Sequence, residues 1–331
     1  MITALAELVQ TNKNPLIVTH KSPDGDAIGS SVAWCFFLKN CGANPTVLLP
    51  DLPPEFLLPF LDGITYLVYE QLDGGLNVNE HDILYCLDFN GTSRVGAKTE
   101  VIIEQFQGKK VMIDHHPHPT DFADVQISRP QVCSTAEMVF QLIEEMNMLH
   151  HLDLAVAKGI YLGIMTDTGS FRFPSVTADT HRCLSYLLGL GLEHFKIHEA
   201  IYDVNTMDRL KLRGYAIAEK AVMVPDSPLA WLALTKEELK RFNYKKGDTE
   251  GLVNVLLSIE GIDIGVFFME IDDEVKLSFR SKGKYFVNQF ANKYFNGGGH
   301  QYAAGGKSDL SLEETLAKFQ SLLPELINQD N

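Results

Sequence analysis

The sequence predicts an α/β fold in two domains, and three observations carry that prediction. Across the first half, short apolar runs of β type (residues 16–19, 45–49, 82–87 and 110–113) alternate with helical stretches, the pattern of βαβ units and a mainly parallel sheet. Past a polar, helix-patterned stretch at 203–219 the organisation changes: strand runs at 229–234, 262–271 and 275–280 follow one another, and Asp272-Asp273 makes the last two a hairpin. The 331 residues are many for one core, and 45% hydrophobic content is enough to fill two. The expected division is a domain at 1–190 with a parallel sheet flanked by helices, a helical linker at 191–220, and a smaller α/β domain with a mixed sheet at 221–331.

Taken in order, Leu16-Ile17-Val18-Thr19 is a buried-type strand ending at His20. The loop Lys21-Ser22-Pro23-Asp24-Gly25-Asp26 leads into a helix over 27–40 that Gly42 closes. The strand at 82–87 ends at Asp88, and that at 110–113 ends in Asp114-His115-His116 before Pro117 and Pro119. Ser134-Thr135-Ala136-Glu137 has capping-box spacing and starts a helix running to about Met146. An apolar helix over 154–165 is released into Thr166-Asp167-Thr168-Gly169-Ser170, and a further helix over 177–190 stops at Gly189 and Gly191. Gly297-Gly298-Gly299-His300 reads as a glycine loop, and Ser311 with Glu314 caps a C-terminal helix.

Composition excludes several classes of function. A formal charge of −15 argues against a protein that coats long nucleic acid, though bound metal can reverse the sign locally and admit phosphorylated ligands. Five cysteines without a Cys-x-x-Cys pair point to reduced thiols, a cytoplasmic location and no zinc ribbon. No apolar run reaches the ~20 residues of a membrane span, and the N-terminus lacks the basic region of a secretory signal.

Listing the strand and helix ends gives one recurring chemistry: His20, Asp24 and Asp26; Asp88; Asp114, His115 and His116; Asp167. In open α/β sheets ligands gather at the carboxyl ends of strands. Imidazole with several carboxylates suits Mn²⁺ or Mg²⁺ better than a thiolate site would, and one aspartate can bridge two ions about 3.5–4 Å apart. Each position also has a plain structural reading. Asp24 is a helix N-cap and Asp26 a first-turn acid; Asp88 begins a turn; Asp167 follows a helix; Asp114-His115-His116 is a polar turn. Other features weigh less: His150-His151 follows no strand, capping accounts for Ser134-Thr135, and Lys245-Lys246 reads as a solvated turn.

In that order and spacing, Val18-Thr19-His20-x-x-Pro23-Asp24-Gly25-Asp26-Ala27-Ile28-Gly29-Ser30, Leu87-Asp88, Asp114-His115-His116-Pro117 and Thr166-Asp167-Thr168-Gly169 resemble the four motifs of the DHH phosphoesterase superfamily. Phe279-Arg280-Ser281 with Gly297-Gly298-Gly299-His300-x-x-Ala303-Ala304-Gly305-Gly306 resembles its associated C-terminal domain. By length and layout the chain looks most like the stand-alone nanoRNase/pAp phosphatases. The resemblance implies two divalent ions, with Mn²⁺ favoured over Mg²⁺ or Co²⁺. One is held by His20, Asp24 and Asp88, the other by Asp26, Asp88, His115 and Asp167, so that Asp88 bridges and a hydroxide between the ions attacks phosphorus. It places His116 beside them as substrate contact or proton donor, with Asp114 orienting the imidazoles. Arg280, the backbone of Gly297, Gly298 and Gly299, and His300 would hold phosphate; alternation along a strand would add Lys282 and Lys284 to the Arg280 face. The implied activity is hydrolysis of short RNA oligonucleotides and of 3′-phosphoadenosine 5′-phosphate (pAp). Alternatives are a linear or cyclic dinucleotide phosphodiesterase, a pyrophosphatase or exopolyphosphatase, and a non-catalytic nucleotide- or RNA-binding protein. The partners expected are a small nucleotide or short single-stranded RNA, with no long nucleic acid and no membrane, and with room for a homodimer.

Overall fold

The computed structural model describes residues 1–72 and 76–328. Residues 73–75 and the end of the expected second domain, 329–331, lie outside the described residues. Two compact units divide the chain, Met1–Val204 and Asn205–Asn331.

In the first unit β1 (Pro15–Val18), β2 (Thr46–Leu49), β3 (Thr65–Val68), β4 (Ile83–Leu87), β5 (Lys109–Asp114) and β6 (Val125–Ser128) form one sheet in the order β3-β2-β1-β4-β5-β6. Every neighbouring pair is parallel. Residues on the central strands alternate between two apolar layers, as a sheet covered on both faces requires. Tyr85, Leu87, Val111 and Ile113 pack with Trp34, Phe37 and Phe140 on one side, while Leu84, Cys86 and Met112 pack with Ile102, Ile103 and Phe106 on the other. The helices of this unit are α1 (Ile2–Thr11), α2 (Gly25–Asn40), α3 (Ala97–Gln105), α4 (Thr135–Glu145), α5 (Leu154–Asp167), α6 (Ala178–Gly189) and α7 (His194–Tyr202).

Strand order reverses between β1 and β4, so the chain leaves those two carboxyl ends in opposite directions and opens a crevice there. Helices α2 and α5 cross close beside it. A Cβ on Gly29 would lie 2.6 Å from the Gly159 oxygen, and one on Gly163 would lie 2.4 Å from the Ala136 Cβ and 2.5 Å from Asp26 Oδ1.

The second unit holds α8 (Met207–Lys220), β7 (Val222–Met223), β8 (Leu229–Leu234), α9 (Lys236–Arg241), α10 (Leu252–Leu256), β9 (Ile264–Ile271), β10 (Glu274–Ser281), α11 (Val287–Tyr294), β11 (Gly298–His300), β12 (Ala303–Ser308), α12 (Leu312–Ser321) and α13 (Leu323–Ile327). Its sheet is mixed, in the order β11-β12-β10-β9-β8-β7, with β8 and β9 parallel and the other pairs antiparallel. The stretch 191–220 is shared between the units: Ile197 and Ile201 of α7 join the first core, and Leu212 and Ala216 of α8 join a core of the second.

Several local expectations change. The glycine run is a strand rather than a loop: β11 pairs with β12, and Cβ atoms on Gly297 and Gly299 would lie 2.0 Å from the Gly305 oxygen and 2.5 Å from the Ala303 oxygen. Close approach of the β12 backbone is therefore what requires glycine at these two positions. Ser134 does cap α4, its hydroxyl accepting from Glu137 N at 3.0 Å, but the reciprocal half of a capping box is not formed. The buried Glu137 carboxylate instead accepts from the Cys133 thiol, Thr180 Oγ1 and Gln141 Nε2. Ser311 and Glu314 form the complete box. Because β10 ends at Ser281, Lys282 and Lys284 lie beyond it and do not extend the Arg280 face.

Candidate metal centre

His20 follows β1 by two residues, Asp88 follows β4 directly, and Asp114 ends β5, so the sheet delivers all three to one edge. Asp24 and Asp26 open α2 beside them, and Asp167 is the last residue of α5. His20, Asp24 and Asp88 form one group able to hold a metal, and Asp26, Asp88 and His115 form another, the ligand atoms of each lying within 4.8 Å of one another. Asp88 belongs to both. Its Oδ2 is 3.4 Å from His20 Nε2 and its Oδ1 is 3.7 Å from His115 Nε2. Asp167 Oδ2 joins the second group at 3.7 Å from His115 Nε2.

The atoms that would face an ion are selected by bonds made elsewhere. His20 Nδ1 bonds the Lys21 carbonyl at 2.9 Å, and His115 Nδ1 bonds the Val132 carbonyl at 3.2 Å. In its neutral form each ring therefore keeps its proton on Nδ1 and turns Nε2 toward the centre as the ligand atom, the usual second contact of a ligating histidine. Asp26 accepts from Thr135 N at 2.7 Å and Ala136 N at 2.9 Å, placing its carboxylate at the N-terminus of α4, where negative charge is favoured. Thr135 Oγ1 donates to Asp88 Oδ1 at 2.8 Å. Asp24 is both things the sequence allowed: its Oδ1 caps α2 by accepting from Asp26 N and Ala27 N, and the same atom is 3.9 Å from His20 Nε2.

Asp114 and His116 sit beside the groups. Asp114 Oδ1 is 2.7 Å from His116 Nδ1 and its Oδ2 accepts from His116 N at 3.0 Å, while His116 Nδ1 is 3.7 Å from Asp88 Oδ1. Arg94 Nη2 lies 3.4 Å from His116 Nε2. Sequence reasoning missed Arg94 because a turn after Asp88 shows no spacing that singles out an arginine. It passed over Thr135 because helix capping accounted for the pair Ser134-Thr135. In the second unit, the half-buried Arg280 of β10 lies in register with Ala303 of β12 and donates from Nη1 to the Phe279 carbonyl at 2.9 Å. Gly298, Gly299 and His300 follow on β11, next to β12.

The electrostatics are those of a cation site. Burial disfavours the His20 imidazolium, yet the bond to Asp88 and the charges of Asp24 and Asp88 outweigh it and raise its pKa to about 9. Asp88, although buried, is held below the usual carboxylate range by His20, His116 and His115. Asp26 moves well above that range through burial and the charges of Asp88, Asp167 and Asp24. Burial also raises Asp167, which His115 opposes and Asp24 and Asp88 reinforce, to about 6. Among the described residues none of the four aspartates has lysine or arginine as an ion-pair partner. Their mutual repulsion is what divalent cations relieve, so donor types, oriented Nε2 atoms and charge all fit a pair of such ions.

Residues 14–164 match the model of the DHH family N-terminal domain, and residues 230–329 match the DHHA1 domain. The chain is 30% identical over 308 residues, 91% of its length and 86% of the relative's, to the bifunctional oligoribonuclease and PAP phosphatase NrnA of Thermus thermophilus. The chain belongs to the DHH family. This DHH chain is also 29% identical to the Bacillus subtilis protein of the same name over 330 residues, 98% of this chain and 99% of that one. A solved exopolyphosphatase-related protein from Bacteroides fragilis superposes with a TM-score of 0.91 at 35% identity, covering 98% of this chain and 95% of the other. As a DHH family member the chain is a phosphoesterase-type hydrolase. Among the described residues no helix is long and apolar enough to cross a membrane.

Proposed function

We propose that this DHH protein hydrolyses phosphoester bonds in short RNA oligonucleotides and in pAp, using two divalent ions of which Mn²⁺ is the favoured pair. One observation carries the reading: Asp88 is the residue shared by the His20–Asp24–Asp88 group and the Asp26–Asp88–His115 group, the arrangement a two-ion hydrolytic site requires. The end-to-end match to relatives named oligoribonuclease and PAP phosphatase supports the substrate class.

His20, Asp24 and Asp88 would hold one ion; Asp26, Asp88, His115 and Asp167 would hold the other. When bound, such ions lower the pKa of water and neutralise charge developing on phosphoryl oxygens. Asp114, by taking the Nδ1–H of His116, fixes the tautomer and leaves Nε2 as the atom that receives or gives a proton or meets a phosphate oxygen. Thr135 and Ala136 hold Asp88 and Asp26 so that neither carboxylate has to reorganise as the reaction proceeds. In the second unit, Arg280, Gly297, Gly298, Gly299 and His300 are the proposed phosphate contacts, Arg280 through its bidentate fork.

A substrate panel tests this. With Mn²⁺ present, turnover of pAp and of dinucleotides to pentanucleotides should exceed turnover of long RNA, cyclic dinucleotides and polyphosphate. A preference for polyphosphate or a cyclic dinucleotide would move the protein to another branch of the same chemistry. No turnover of any of them would leave a binding protein.

A further inference from the structure

We propose that Arg94, with Lys21 beside it, forms a phosphate-binding station at the rim of the metal centre within the first unit. The proposal deepens the phosphoester reading and rests on it for the identity of the ligand.

The main chain brings the two cations together. Lys21 N donates to the Arg94 carbonyl at 2.9 Å, tying the loop after β1 to the turn after β4 across the point where strand order reverses. Arg94 N is held in turn by the Gly91 carbonyl at 3.1 Å. The aliphatic stem of the exposed Lys21 runs over the end of the same turn, with its Cδ 3.2 Å from where a Cβ on Gly96 would stand. Both side chains thus leave neighbouring loops at the edge where His20 and Asp88 emerge.

What Arg94 does not do is as informative. The adjoining centre contains Asp24, Asp26, Asp88 and Asp167, yet among the described residues the Arg94 guanidinium forms no ion pair with any of them. Its side-chain partner is His116 Nε2, at 3.4 Å. An arginine placed to neutralise the acidic centre would lie against a carboxylate. This one is half-buried and rests on an imidazole acceptor that takes one of its five N–H donors. The rest of the fork is the geometry that pairs with two oxygens of a phosphate. The contact also sets the position of that phosphate: an oxygen held by Arg94 lies beside His116 Nε2, the atom proposed above to exchange a proton.

The test is binding of inorganic phosphate, by calorimetry, to the Mn²⁺-loaded full chain. Arg94→Ala should weaken phosphate binding by about 10- to 100-fold, the effect of losing a charged hydrogen bond. Elemental analysis should show its metal content unchanged. Arg94→Lys should recover part of the affinity, since it restores charge without the fork, and Lys21→Ala should cost a few-fold at most, as exposed cations do. For pAp, Arg94→Ala should raise KM more than it lowers kcat. Unchanged phosphate affinity in Arg94→Ala overturns the proposal, and so does a fall in kcat alone, which would assign Arg94 to positioning His116. Phosphate binding needs no turnover. A wild-type protein that binds phosphate through Arg94 but cleaves neither pAp nor short RNA would reject the substrate reading and leave the station in place.

Discussion

Thr135 donates its hydroxyl to Asp88 Oδ1 at 2.8 Å and its backbone N–H to Asp26 Oδ2 at 2.7 Å, so one residue in the first turn of α4 orients a carboxylate of each ligand group. Asp88 needs the help. It sits at φ 66°, in the left-handed region that a non-glycine residue occupies at a cost of about 1–3 kcal/mol. The contacts that hold it there come from its neighbours: its N–H donates to the Ile113 carbonyl at 3.1 Å, and Thr135 fixes the side chain.

Removing the shared carboxylate should therefore affect both ions. Asp88→Ala is expected to abolish turnover and to reduce bound metal at both groups while the circular-dichroism spectrum stays native. Thr135→Ala keeps the backbone bond to Asp26 and loses only the hydroxyl, so metal affinity should fall about 10- to 100-fold, with Thr135→Ser close to wild type. Wild-type metal stoichiometry in Asp88→Ala would refute its bridging role.

Gly163 is a second point of leverage. An alanine there would push its Cβ into Asp26 Oδ1 and the Ala136 Cβ, so α5 must move or Asp26 must leave the α4 N-terminus. Gly163→Ala should cost about 1–3 kcal/mol of stability by overpacking and should lower metal affinity as well. Gly189, at the end of α6, has nothing within 4 Å of an added Cβ, and Gly189→Ala should be neutral or stabilise by about 0.4–1 kcal/mol. Urea denaturation with parallel Mn²⁺ titration measures both variants. Equal metal binding in the Gly163 variant would mean that α5 yields without disturbing Asp26.

These dependencies separate what the sequence displayed from what it did not. β1, β4 and β5 were legible because each is an apolar run ending in a polar ligand, and His20, Asp88 and Asp114 follow from that pattern. β6 is not, since Val125–Ser128 carries Gln126 and Ser128 among its four residues, and β3, although Thr65–Val68 is β-type in composition, ends in no polar ligand that would mark it as part of the same pattern. β11 looks like a loop in the sequence because its glycines meet β12, a pairing that only the fold brings together. Asp167 reads as lying just past its helix because Thr166 and Asp167 are polar, although Thr166 Oγ1 bonds the Leu162 carbonyl at 2.9 Å within the last turn. Arg94 and Lys21 meet through one backbone bond across 73 residues, and no local pattern encodes such a contact.

The cluster also predicts how stability changes with pH once metal is chelated. His20 has its pKa raised from 6.5 to about 9, so its contribution is complete below 6.5 and is lost as pH rises through about 9; His115 shifts in the same direction. Asp26 and Asp167 are raised from 3.8, so the stability tied to their protonated forms is present below 3.8 and lost as pH climbs, through about 6 for Asp167. Asp88 is lowered, and its contribution is lost only in acid, as pH falls below its usual range. Above about pH 4 the changes run one way, and the chelated protein should lose stability from there to about pH 9. Metal binding needs these groups deprotonated and should tighten over the same interval. The gap in Tm between Mn²⁺-loaded and chelated protein should widen from pH 6 to pH 9 in thermal scans. A chelated Tm that rises between pH 6.5 and 9 would contradict this assignment of charges.

If short RNA and pAp are the substrates, the supply of cations for added phosphates should set the preferred length. The chain carries a formal charge of −15, against which Arg94, Lys21 and Arg280 offer contacts for only a few phosphate groups. Lys282 does not enlarge the set as strand alternation predicted: its Nζ donates to the Leu257 carbonyl at 3.0 Å and lies 3.6 Å from Asp263. Lys284 lies over the Tyr285 ring, 5.5 Å from its centroid. On that reading each further nucleotide would add one phosphate to a ligand that meets a chain of net negative charge. Efficiency should peak for pAp and oligonucleotides of about two to five units and fall with length. If one or two phosphates are neutralised, log K should fall with log salt at a slope of about −0.7 to −1.4, which is about three- to sevenfold between 50 and 200 mM. A protein tracking a long strand through many contacts would lose several orders of magnitude over that range. Steady-state kcat/KM on a ladder of RNA lengths at the two salt concentrations separates these cases. Faster cleavage of a long strand than of a dinucleotide, together with a steep salt slope, would place the protein among processive exonucleases instead.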